Sequence, residues 1–167
     1  MSDTGVKAFC VGLAATILAG LISTTASAGA RFEQFPASPY TGAVHRPDFS
    51  GPGRRYRQMR TVIAEGFTSG RRFGGHYVLI STGCGAGCRI AYVGDLATGR
   101  IYEFPLGGEA NYGLEVQVRP DSRVVKAHWN DFDTMDRQCH TQDFIWNDRS
   151  FRQLPVEVVP QRCPEWY

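Results

Sequence analysis

Gly74-Gly75-His76-Tyr77-Val78-Leu79-Ile80-Ser81-Thr82-Gly83-Cys84-Gly85-Ala86-Gly87-Cys88 decides the reading of this chain. Between His76 and Thr82, Val78 and Ile80 fall on one face and Tyr77 and Leu79 on the other. A strand with bulk on both faces belongs inside a packed sheet, not at its rim. It runs into Gly83, Gly85 and Gly87, interleaved with two cysteines. Glycines let the chain curl tightly enough to bring the sulfurs of Cys84 and Cys88 together.

Downstream, Ile90, Tyr92 and Val93 mark a second strand. Asp95-Leu96-Ala97-Thr98-Gly99 is a connection whose glycine suits a left-handed bulge position, and Arg100 to Phe104 returns as the hairpin partner. A glycine-rich loop, Pro105 to Tyr112, follows. Leu114, Val116 and Val118 then alternate with Glu115, Gln117 and Arg119, the pattern of a strand with one wet face. Pro120-Asp121-Ser122 turns the chain into Arg123 to Trp129. Cys139 to Trp146 and Phe151 to Val159 read as a last hairpin across Asn147-Asp148-Arg149-Ser150.

Upstream, Tyr56, Met59, Ile63 and Phe67 recur at steps of 3, 4 and 4, with Arg54, Arg55, Arg57, Arg60 and Glu65 off that stripe. The spacing predicts one amphipathic helix over residues 54–67, for which Gly66 can serve as the end and Ser69-Gly70 continues the break. The expected fold is α+β and β-dominated. One N-terminal amphipathic helix packs on an antiparallel meander of about seven strands, stapled by disulfides.

Ala8 to Ile22 carries no charge, Lys7 precedes it and Ala26-Ser27-Ala28 follows, the layout of a secretory signal cleaved after Ala28. The apolar run of about 15 residues is shorter than the roughly 20 a spanning helix needs, so no transmembrane span is expected after cleavage. Asp3 and the lone Lys7 leave an uncleaved anchor as the alternative. The chain divides into a signal peptide (1–28), an irregular Pro- and Gly-rich arm (29–53) and a single helix-plus-sheet domain (54–167). Removing 28 of the 167 residues leaves 139, enough for one core.

Cys84, Cys88, Cys139 and Cys163 remain, an even set in an exported chain, where disulfides are the default. Of the three possible pairings, Cys84 with Cys88 is favoured by the glycines, and Cys139 with Cys163 follows.

Phe73-Gly74-Gly75-His76-Tyr77 followed by Gly83-Cys84-Gly85-Ala86-Gly87-Cys88 resembles a family of small, largely uncharacterised secreted or periplasmic bacterial proteins. Their pattern is F-x-G-H-Y, a strand, then G-C-G-x-x-C, with a basic helix before and a D-x-x-T-G hairpin after, here Asp95 to Gly99. The resemblance spans about residues 54–154 and implies the fold and export, with no catalytic residue to carry over. Ser81-Thr82 stands where a tryptophan is common in that family.

Chemistry-bearing constellations are few. Three residues separate Cys84 from Cys88, whereas redox thiols sit as C-x-x-C at a helix start. Cys84, Cys88, Cys139 and His140 have zinc-ligand chemistry, but oxidation on export precedes metal capture. A cysteine nucleophile needs a histidine beside it, and His76 is roughly 26 Å from Cys84 along an extended strand. Gly83, Gly85 and Gly87 have the composition of an anion-binding nest but no following helix. Asp131, Asp133 and Asp136 supply calcium-like oxygens without an EF-hand's glycine and closing glutamate.

The net charge of +2 argues for neither nucleic acid nor a membrane surface as partner. It is unevenly spread, net +5 over residues 46–72 and net −3 over residues 109–143, a dipole able to steer a charged partner. The expected function is a non-enzymatic binding or interaction module of the cell envelope, periplasmic or secreted and inhibitor-like, with no cofactor and no metal. Its contact residues are His76, Gly83, Gly85 and Gly87, or the basic face of Arg54, Arg55, Arg57 and Arg60, and its partner is an envelope or extracellular protein or ligand. The alternative is a small hydrolase or metal-dependent enzyme using His76, His128 and the Asp131, Asp133, Asp136 loop. Imidazoles converging in an open cleft would favour the enzyme.

Overall fold

The computed structural model describes residues 29–131 and 138–165. The expected signal segment, and Asp133 and Asp136 of the acidic loop, lie outside these residues.

Strands β1 (Arg71–Phe73), β2 (Tyr77–Gly85), β3 (Cys88–Asp95) and β4 (Ile101–Gly108) pair antiparallel in chain order. A second antiparallel sheet orders β5 (Tyr112–Val118), β6 (Val124–Asn130), β7 (Cys139–Trp146) and β8 (Phe151–Gln153), and β9 (Glu157–Val159) also pairs with β7. The meander is therefore folded over on itself. Gly107 (φ +151°) and Gly108 (φ +78°), with the 3-10 turn Glu109–Asn111, carry β5 away from β4 into a second layer. Period-two alternation supplies the filling between the sheets: Tyr77, Leu79 and Val93 from one side, Leu114, Val116, Val125, Ala127 and Trp129 from the other.

The opposite face of the first sheet presents Val78, Ile80, Leu96 and Ile101 to Tyr56, Ile63 and Phe67. The covering element is two helices in series, a 3-10 helix over Gly51–Met59 and α1 over Arg60–Ser69. Buried Gly53 and Tyr56 are three residues apart, as a 3-10 turn requires, and Ile63 and Phe67 four apart, as an α turn permits. The change of step in the sequence is the change of helix type. Gly66 lies inside α1, which ends at Ser69. A Cβ on Gly66 would collide with Ile80, so this glycine sets how closely helix and sheet approach.

The arm covers the outer face of the second sheet, where Ala30, Phe32 and Phe35 pack with Val124, Ile145 and Leu154. It is held by Arg123 N–H donating to the Phe35 carbonyl (2.8 Å), Ala37 N–H to Asp121 (2.9 Å) and the Ser122 hydroxyl to Phe32 (2.7 Å). The segment expected as one strand over residues 151–159 is broken. Gln153 lies opposite Phe144 and Glu157 opposite Thr141, one residue too many on the outer side. Pro155 has no N–H for the ladder, and the Gln142 side-chain amide donates to the Leu154 carbonyl (2.8 Å).

Two bridges close the structure, Cys84 to Cys88 and Cys139 to Cys163, as expected. No helix among the described residues is long and apolar enough to cross a membrane.

Candidate functional site

At one end of the sandwich the β2–β3 hairpin closes across Ala86-Gly87, with Gly85 opposite Cys88. Gly87 has φ +68°, a conformation that penalises any Cβ, and a Cβ there would also overlap the Tyr112 ring. The Gly87 carbonyl accepts the Gly113 N–H at 2.7 Å. The tip of one sheet is thus seated on the first strand of the other, and behind it opens a cleft of about 670 Å³. Ser81 to Gly83, Arg89, Tyr112, Glu115, His128 and Asn130 line it, and the tail from Arg162 to Glu165 forms its far rim. Cys139 to Cys163 fixes that tail to β7, so each side of the cleft is held by its own bridge.

His128 and Glu115 are register partners on β6 and β5. The His128 Nε2 lies 3.4 Å from the Glu115 carboxylate, with the imidazole 2% exposed and the carboxylate 34%. Burial pushes the His128 pKa down, opposed by the Glu115 charge and its hydrogen bond. Asn130 is buried, lines the cleft, and its Oδ1 has no hydrogen-bond partner among the described residues. Removing a carbonyl oxygen from water without a donor costs about 1–3 kcal/mol, so this oxygen is an acceptor in want of an N–H or O–H.

The other expected site residues lie elsewhere. His76 places Nε2 3.6 Å from the buried Asp95 carboxylate and sits between the Tyr77 ring (4.1 Å) and Tyr40 of the arm (5.4 Å). Asp95 in turn accepts from Thr98 Oγ1 (2.6 Å) and Ala97 N–H (2.9 Å), so the D-x-x-T-G motif is a self-capped turn. His140 stacks on Trp129. Arg54, Arg55, Arg57 and Arg60 are all exposed. Arg55 is engaged with Tyr56 and Arg57 donates to the Phe49 carbonyl.

The structure thus joins Gly83, Gly85 and Gly87 with His128, and leaves His76 and the arginines apart. His128 also places a ring nitrogen within 4.8 Å of the Cys139 and Cys163 sulfurs. Those sulfurs are bonded to each other, so they are not thiolate ligands while the bridge is intact.

Sequence reasoning missed Glu115, Asn130 and Tyr112. The wet-face alternation of β5 flags Glu115 as exposed, but only the fold-over brings that face to Gly87. Comparison with known protein families, curated proteins and solved structures finds no match.

Proposed function

We propose that this chain is an exported binding module, acting in the periplasm or outside the cell after cleavage at Ala28, whose contact surface is the cleft between the two bridges. Two intramolecular disulfides are typical of an oxidising compartment. The observation that carries the reading is the buried Oδ1 of Asn130, without a partner among the described residues, in the wall of a cleft whose two sides are covalently fixed. A rigid cleft binds without the ordering loss a slack one suffers, and an N–H or O–H donor from a partner would satisfy the oxygen. The resemblance carried by the F-x-G-H-Y and G-C-G-x-x-C motifs points to the same compartment. The hydrolase reading needed His76 and His128 to converge. Each has a carboxylate of its own, Asp95 and Glu115, and only His128 of the two lines this cleft.

The test is a binding curve with a partner recovered from envelope extract by the mature protein. Asn130→Leu and the Cys84→Ser, Cys88→Ser pair should weaken binding well beyond any loss of folded protein, and Arg54→Glu with Arg60→Glu should not. Unchanged affinity in both cleft variants, at a temperature where they remain folded, would dispose of the cleft as the site.

A further inference from the structure

The cleft leaves unexplained a second cavity, on the second sheet, whose lining mixes charged groups with Ala127, Leu154 and Pro155. This one, of about 300 Å³, is lined by Gly29, Lys126, Thr141, Gln142, Asp143 and Glu157. Lys126 Nζ is 2.9 Å from Asp143 Oδ2, with the carboxylate 13% exposed. Of the two carboxylates in the lining Glu157 is exposed to solvent, so Asp143, with Lys126 on one side of it, is the acid that a further cation could pair with.

Gly29 sits against this group. A Cβ built on it would stand 2.6 Å from Asp143 Oδ2 and 3.8 Å from Lys126 Nζ. By ordinary bond lengths the Gly29 nitrogen is then within roughly 5 Å of the carboxylate. The next residue, Ala30, is 5% exposed and packed with Val124 and Ile145, so the chain is pinned one residue from the acid. Gly29 is also the residue that cleavage after Ala28 makes first.

We propose that the α-ammonium of Gly29 is a second cation on Asp143, beside Lys126. A leader peptidase adds water across the Ala28–Gly29 peptide bond: Ala28 leaves as a carboxylate, and the Gly29 nitrogen, relieved of its acyl group, is protonated at neutral pH. The new ammonium pairs with Asp143 and ties the arm to β7. Processing thereby completes an ion pair that the precursor, whose Gly29 nitrogen is an uncharged amide, does not have. The inference rests on the export part of the proposed function and not on its binding part.

The full-length gene, with its own leader, supplies the exported protein for the experiment. The mass of its N-terminal peptide gives the first residue, expected to be Gly29. Cyanate then carbamylates the α-amine over a series of pH values; Lys126 is the one other primary amine in that chain, so mass reads the two separately. Pairing raises an amine's pKa and burial alone lowers it, so the sign separates the two causes. The α-amine should titrate above its ordinary range of about 7.7–8.0. Asp143→Asn should lower that pKa by about one unit and speed modification near neutrality about tenfold. If that variant does not fold, the wild-type titration decides alone.

An ordinary or lowered value in a chain that begins at Gly29 overturns the inference and leaves export standing. A first residue other than Gly29 overturns it together with the cleavage site.

Discussion

The carbonyl of Gly87 accepts the backbone N–H of Gly113 at 2.7 Å, joining the turn of a hairpin in the first sheet to the opening strand of the second. The two residues are far apart in sequence and belong to different layers, so this bond fixes how the sheets meet at the cleft.

Gly87→Ala should therefore be costly. It places a side chain at φ +68° and drives a methyl group into the Tyr112 ring. We expect a loss of about 2 kcal/mol in urea unfolding, from the left-handed penalty and the displaced ring together. Tyr112→Ala in the same background should return part of that loss. A Gly87→Ala chain as stable as the wild type would show that the tip is not seated on Tyr112.

The bridges should differ in weight. The chain-entropy model gives about 2 kcal/mol for the short loop of Cys84 and Cys88 and about 3.5 kcal/mol for Cys139 and Cys163, which close a much longer one. Melting of the two double-serine variants should follow that order. Loss of the second bridge should also free the tail from Arg162 to Glu165, detectable as earlier proteolysis there. Equal melting shifts would contradict the ranking.

His128 sets a pH dependence. Its folded-state pKa lies below the ordinary 6.5, chiefly through burial, so the unfolded chain binds the proton first. Stability is full above about pH 6.5 and is lost as the pH falls toward the folded-state value. The carboxyls of Glu33, Asp48 and Asp121 are held below their ordinary values of 4.5, 3.8 and 3.8, so what they contribute is lost only in more acid solution. Urea midpoints at pH 7.5 and 5.5 should drop in the wild type and change less in His128→Gln. Parallel slopes in the two proteins would rule His128 out as the cause.

Gly66→Ala sets propensity against packing. In an exposed helix the change would gain about 1 kcal/mol. Here the added methyl meets Ile80, and we expect a net loss of about 1–3 kcal/mol. Ile80→Val in the same chain should recover some of it. A stabilised Gly66→Ala protein would mean that helix and sheet are less closely packed than their contact implies.

What could be read from the sequence was local. Tyr77 to Ile80 announced a strand buried on both faces, and the structure gives each face its cover. The steps from Tyr56 to Phe67 announced a helix, and the short first step carried the 3-10 start that a uniform reading passes over. In the sequence Gly66 reads as a helix end because a glycine near the end of an apolar stripe is ambiguous: its reason for being there, Ile80, lies on another element. The break at Leu154 to Val156 is masked in the sequence, although Pro155 marks it, because Val156 and Val158 continue a strand-like alternation. The cleft was the least legible. Gly87, Glu115 and the pair His128 and Asn130 come from three separate stretches, and only the turn at Gly107 and Gly108, which sends β5 into a second layer, brings them together.

The broken segment at Leu154 to Val156 has a consequence for life at high concentration. The outer edge of β7 is covered by two pieces of three residues each, β8 and β9, out of step with each other by the inserted residue. A continuous edge would offer a neighbouring molecule a row of open amides to extend, and half-exposed Val156 and Val158 would make that row adhesive. Interrupted by a proline and put out of register, this margin has no long template on which a second copy can grow, so the molecule carries its own guard against fibre formation.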